Sequence, residues 1–128
     1  MGYESKVIIV DRNPFEGWTY GDEIARFDLS KMGYERVNGF MFREIFKNEI
    51  DFDLFYTGVH GEEDNVRNRE DMYGDTCCWA EVEDVIEWLE NSETGKEYRR
   101  AKLLLDFLKV LEEHEDEWEQ LVVVHFGY

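Results

Sequence analysis

The chain has 128 residues with 31 Asp and Glu against 14 Lys and Arg, a formal net charge of −17, yet 43% of its residues are hydrophobic and 16% aromatic. That apolar content separates it from disordered acidic chains, and its charge disfavours direct binding to nucleic acid, where affinity rests on Lys and Arg neutralising phosphates. A single proline, Pro14, and the absence of any Gly/Ser-rich stretch leave no linker between two cores, so residues 1–128 read as one compact domain.

The first element is a strand over residues 5–11, centred on the β-branched run Val7-Ile8-Ile9-Val10 and bounded by the turn-like Asn13-Pro14. Those four apolar residues are far too few for a signal peptide, and no run approaches a membrane span, so a cytoplasmic protein is expected. Residues 15–21, with Gly17, Trp18, Tyr20 and Gly21, read as an ordered aromatic loop. Alternation over residues 25–30 suggests a strand, with a short helix over residues 22–33, capped by Asp22 and ended by Gly33, as the alternative, and Asn38 reads as the cap of a short helix reaching residue 47. Ile50, Phe52, Leu54 and Tyr56 alternate with Asp51 and Asp53, as in a half-buried strand. The polar stretch 60–75 reads as a long loop, and residues 76–80 as a brief strand leading into a helix.

Val82, Val85, Ile86 and Leu89 recur at i, i+3, i+4 and i+7, which predicts a helix over residues 81–91. A break at residues 91–95 separates it from a longer helix over residues 96–113, with Tyr98, Ala101, Leu105, Leu108 and Leu111 facing the core. The chain closes on a strand around Val122-Val123-Val124, whose lack of alternation calls for cover on both faces. The two terminal strands are the most hydrophobic and are expected to be near neighbours. The resulting fold class is α+β: a mostly antiparallel or mixed β-sheet with two longer helices of the C-terminal half packed on one face.

Catalytic signatures are missing: there is no P-loop, no GxGxxG after a strand, no nucleophile elbow and no EF-hand loop. His60, His114 and His125 stand at no zinc-binding spacing. His125 reads as a satisfied residue at the edge of the core, and His114, inside a run of carboxylates, is expected to favour its protonated form. Cys77 and Cys78 are adjacent, which suits reduced thiols with one packed inside and the other facing out. Glu49, Asp51, Asp53 and His60 form the one set suggesting a metal-dependent hydrolase or nuclease. The plainer reading of the aspartates is the solvent face of an amphipathic strand. No enzyme activity, resident metal or cofactor is expected.

The acidity is concentrated toward the C-terminal part, where residues 81–128 hold fourteen acids and five bases. Glu83, Glu87 and Glu90 fall at i, i+4 and i+7 opposite the apolar stripe of the predicted helix. A second cluster, Glu112, Glu113, Glu115, Asp116, Glu117 and Glu119, surrounds Trp118 with no base between. Carboxylates held on a rigid helix are fixed in space as phosphates are, so a Lys- and Arg-lined cleft would be steered to them. The expected function is a non-enzymatic interaction protein that imitates nucleic acid and inhibits or regulates a basic DNA- or RNA-binding partner. In general character only, such a chain resembles the anti-restriction and anti-CRISPR DNA mimics of phages and mobile elements, with no residue motif tying it to one family. Trp18, Tyr20, Tyr73, Trp79 and Trp118, placed in loops or turns, offer binding anchors, at least three of them mostly buried. A homodimer is compatible with the sequence, as is a small homodimeric ligand-binding module with a pocket at Trp18 and Tyr20.

Overall fold

The computed structural model describes residues 5–15, 18–56, 66–68 and 76–126. Its centre is the pair of terminal strands, β1 (Lys6–Phe15) and β9 (Leu121–Phe126), which lie antiparallel with Val7 opposite His125 and Val10 opposite Val122. The expected adjacency therefore holds. Among the described residues the sheet around them is mixed and seven-stranded, in the order β5-β8-β9-β1-β2-β6-β7. Its other members are β2 (Trp18–Asp28), β5 (Asn48–Glu49), β6 (Asp53–Tyr56), β7 (Val66–Asn68) and β8 (Cys78–Glu81). Among the described residues, only the β2–β6 pairing is parallel, and it spans Tyr20–Asp53 and Gly21–Leu54.

Both faces of the central strands are covered, which explains the unbroken Val122–Val124 run. On one face, Val7, Ile9 and Val123 pack under α1 (Val82–Asn91) and α3 (Arg99–Glu113), which the short α2 (Glu93–Glu97) connects. On the other, Ile8, Val10, Val122 and Val124 meet Ile50, Phe52 and Leu54. This second cover follows from topology, because β5 and β6 stand on opposite flanks of the β8-β9-β1-β2 group and the chain between them must cross it. Gly21 allows that crossing to sit close: a Cβ there would lie 2.9 Å from both Phe52 and Leu54. The fold is the expected α+β one, with its two longer helices, α1 and α3, from the C-terminal half on one face.

Several local expectations are corrected. Of the expected loop over residues 15–21, Phe15 and residues 18–21 are strand: β1 continues to Phe15, which pairs with Trp18 at the start of β2, and residues 16 and 17 lie outside the described residues. Pro14 is tolerated there because β9 pairs with β1 only as far as Asp11, so the missing N–H falls beyond the doubly paired part of the strand. Asn38 caps no helix. Asn38 and Gly39 have φ of +52° and +86° and form the turn between β3 (Arg36–Val37) and β4 (Phe40–Met41), a hairpin conformation that Asn-Gly favours. The helical part of that region is a single 3₁₀ turn, Phe42–Ile45.

The alternation at residues 50–54 is real as burial, with Ile50, Phe52 and Leu54 inside, although regular pairing begins at Asp53. The expected break at 91–95 overlaps α2, Glu93–Glu97, so the longer helix begins at Arg99 and not at residue 96, and the α2 N-terminus is held by Ser92 Oγ accepting from Gly95 N at 2.8 Å. Cys77 and Cys78 do point to opposite faces, but each face is packed, so the Cys77 thiol is buried and that of Cys78 half-buried. Of the polar stretch 60–75, the described part is β7, paired with β6; Tyr73 and His60 lie outside the described residues.

Candidate acidic interface

In α1, Val82, Val85, Ile86 and Leu89 are buried as the spacing predicts, and Trp88 joins them, its Nε1–H donating to Phe40 O at 3.0 Å. Such an inward stripe forces Glu83, Glu87 and Glu90 outward, and all three are exposed. Glu83 and Asp84 occupy the first turn, where the positive end of the helix dipole favours carboxylates. Glu90 pairs with Lys109 Nζ at 3.0 Å, whereas Glu83 and Glu87 have no ion pair among the described residues.

The second cluster begins in the last turn of α3 with Glu112 and Glu113 and continues through the 3₁₀ turn Glu115–Glu117. Glu112, Glu113, Glu115, Asp116 and Glu117 are exposed, with Glu119 beyond them. Carboxylates at a helix C-terminus oppose the dipole, and this last turn has no base to offset them. Trp118 fixes the segment from beneath: it is half-buried against the helix-side core, and its buried Nε1 lacks a hydrogen-bond partner. His114 Nδ1 approaches Glu117 at 3.8 Å.

The fold brings the start of α1, with Glu83, and the acidic turn to one end of the sheet, while Glu87 and Glu90 follow along the outer face of α1. Glu81, which opens α1, lies opposite Val122, while the acidic turn feeds directly into β9 at Leu121. Lys109 bridges from α3 to Glu90, with Glu112 and Glu113 three and four residues further along the same helix. Asp11 and Asp22, paired across β1 and β2 beside Leu121, extend the same pole. Asp11 is buried and accepts from Gln120 N at 2.9 Å.

Sequence reading missed the opposite pole. Of the five bases in residues 81–128, Lys96, Arg99, Arg100 and Lys102 are crowded around the start of α3. Arg100 lies 3.9 Å from Asp28, and Lys31 stands over the Tyr98 ring at 5.4 Å. Burial acts to raise the Asp28 pKa, but hydrogen bonds from Ser30 and the charges of Lys6 and Arg100 outweigh it and leave the group below its ordinary value. Averaging charge over long segments hid this polarity; counting within single turns would have found it.

The other candidate groups are dispersed or engaged. Arg12 grips Asp51 with two hydrogen bonds, Nε–Oδ1 at 3.1 Å and Nη2–Oδ2 at 2.6 Å, while Asp53 begins β6 and Glu49 pairs with Cys78 at the far edge. Among the described residues, no three His, Cys, Asp or Glu side chains gather in a way that would hold a metal ion. Burial, and then Glu49, push the Cys78 thiol above its ordinary pKa. His125 Nε2 lies 2.8 Å from Ser5 Oγ, but Ser5 is fully buried, so this hydroxyl–imidazole pair has no open face toward a substrate. Trp18 and Tyr20 belong to β2 and Trp79 to β8, not to loops; Trp79 is half-buried against the second core.

No described helix is long and apolar enough to cross a membrane. Comparison with protein-family models, with curated proteins and with solved structures returned no match.

Proposed function

We propose that the chain is a non-enzymatic interaction protein whose acidic pole occupies the basic, nucleic-acid-binding surface of a partner and so inhibits or regulates it. The observation that carries this reading is that Glu83, Glu87 and Glu90, together with the carboxylates of residues 112–119, are exposed on ordered helical elements that meet at one end of the sheet. Placing like charges at helical spacing costs a few tenths of a kcal/mol per pair. The start of β9 and the buried stripe of α1 hold them there regardless. A fixed row of negative charge raises the association rate with a Lys- and Arg-lined cleft, and salt weakens that attraction.

The test is capture from host lysate on the immobilised protein at low salt, followed by elution with duplex DNA. The partner is expected to be released by DNA and by raised salt, and to be absent from a Glu83→Lys/Glu87→Lys/Glu90→Lys variant. Retention that neither DNA nor the triple reversal disturbs would contradict charge mimicry.

A further inference from the structure

Helix α3 carries its charges against its own dipole. Cations are favoured at the negative C-terminal end of a helix and carboxylates at the positive N-terminal end. In α3 the first four residues include Arg99, Arg100 and Lys102, and the last two are Glu112 and Glu113. The buried stripe Ala101, Leu104, Leu108 and Leu111 holds the helix on the sheet through its inner face, and it does not dictate which sign of charge stands at which end. Arg100 approaches Asp28 at 3.9 Å, whereas Arg99, Lys102, Asp106 and Glu113 are exposed and belong to no ion pair among the described residues.

At about 100° per residue, Arg99, Lys102, Asp106, Lys109 and Glu113 lie opposite the buried stripe, and their alternating spacing of three and four keeps them in line along the helix. All five are exposed, and the exposed Leu103 and Val110 border them. A parallel neighbour would set each of these charges against its own kind. An antiparallel copy does the reverse: with Lys102 opposite Glu113, Asp106 falls opposite Lys109, each pair occurs twice by symmetry, and Arg99 is brought toward the acidic turn that follows α3. Lys109 already holds Glu90 at 3.0 Å, and its ammonium group has further donors for Asp106. Centring the crossing on Asp106 instead opposes that carboxylate to itself. Each basic start then lies beside the negative end of the neighbouring helix and each acidic end beside its positive end, so a placement that is unfavourable within one helix becomes favourable across the pair. A basic partner would answer only the acidic end and a polyanion only the basic one; a second copy answers both.

We propose that the outward face of α3 is a homodimer interface, in which two copies lay their α3 helices antiparallel across a two-fold axis, with Lys102 against Glu113 and Asp106 against Lys109. Such an interface is self-complementary and closed. Exposed charge pairs are individually weak, and Leu103 and Val110 add only a modest apolar border, so the dimer is a weak one with a dissociation constant of about 100 µM. The proposal does not rest on the reading of the acidic pole, because Glu83 and Glu87 belong to α1 and stand outside the row. Glu83→Lys/Glu87→Lys is expected to weaken capture of a basic partner without weakening the dimer, so the two readings fail separately.

Sedimentation equilibrium of the full chain at concentrations up to about 500 µM tests the proposal, and a species of twice the chain mass is expected at an ionic strength of about 0.15 M. Association is expected to weaken at about 10 mM, where a screening length of about 30 Å lets two acidic copies repel as wholes, and again at about 1 M, where the opposed pairs are themselves screened. Lys102→Glu puts a carboxylate near the start of α3, where the dipole favours it, so thermal melting followed by circular dichroism should not fall while the dimer dissociation constant rises about tenfold or more. Lys102→Glu/Glu113→Lys exchanges the opposed charges and is expected to restore the dimer. A chain that stays monomeric throughout, as it would if the row served a different protein, overturns the proposal. So does a dimer indifferent to Lys102→Glu, one that the double exchange fails to restore, or one that only tightens with salt.

Discussion

His125 shows what a single buried group does in this sheet. Its ring is enclosed by Phe46 at 5.1 Å and Phe42 at 6.1 Å, and burial, aided by the nearby Arg43 charge, pushes its pKa down to about 4 from an ordinary 6.5. Between these values the unfolded chain binds a proton that the folded chain refuses, so stability rises with pH across the window. The contribution is complete above about pH 6.5 and is lost progressively as pH falls toward 4, with an upper size of roughly 3 kcal/mol. Urea midpoints measured at pH 7 and pH 5 should therefore differ more for the wild type than for His125→Gln. Equal differences would show that the imidazole does not carry the effect. The sequence revealed that His125 is a core residue, because it continues an apolar strand. It did not reveal Ser5 as its partner, since 120 positions separate the two and only the β1–β9 pairing joins them.

At the scale of elements, the α1–α2–α3 turn is where the sequence reading was weakest. Glu93, Thr94 and Gly95 look like a helix break, because Gly disfavours helix and Ser92 favours a cap. Both signals are genuine, but they mark the first turn of α2, a five-residue helix anchored from outside. Ser92 Oγ donates to Glu35 Oε2 while accepting from Gly95 N, and Thr94 N donates to Glu35 Oε1 at 3.1 Å. Burial acts to raise the Glu35 pKa, but these bonds outweigh it and hold the carboxylate below its usual value.

The glycine is explained by space and not by backbone angle: a Cβ at Gly95 would sit 2.8 Å from Leu89 O and 3.1 Å from Ser92 Oγ. Gly95→Ala is thus expected to lower stability by about 1–3 kcal/mol, in spite of alanine's better helix propensity. A denaturant midpoint unchanged or raised in this variant would show that the loop yields without cost. In contrast, α1 and β9 were legible because their patterns depend only on which faces are buried. The Asn38-Gly39 hairpin was also legible in principle, since Asn-Gly between apolar residues is a strong turn signal, but the competing reading of Asn38 as a cap obscured it.

For the whole molecule, the decisive quantity is how charge is distributed, and net charge alone conceals it. The −17 total predicts self-repulsion, while the structure separates an acidic pole at the start of α1 and β9 from bases gathered at the start of α3. Exposed ion pairs such as Glu90–Lys109 contribute little, about 0–1 kcal/mol, so they do not offset a surplus of that size. Raising the ionic strength from 10 mM to 1 M shortens the screening length from about 30 Å to about 3 Å. The melting temperature, followed by circular dichroism at a protein concentration low enough to keep the chain monomeric, should rise over that range.

Reversing Glu83, Glu87 and Glu90 to Lys changes the charge by two at each position and takes −17 to −11. The salt dependence of melting should then be shallower, since surplus negative charge is removed from the exposed face of α1. A wild-type melting temperature that falls with salt would mean that attraction between the two poles outweighs the repulsion within one of them. In that case the acidic row would be part of the fold's internal balance, and a surface tied up in that way is a poor decoy for nucleic acid. The slope therefore reports on stability and on function together: a positive slope that flattens in the reversed variant locates the surplus charge on the face proposed to meet the partner.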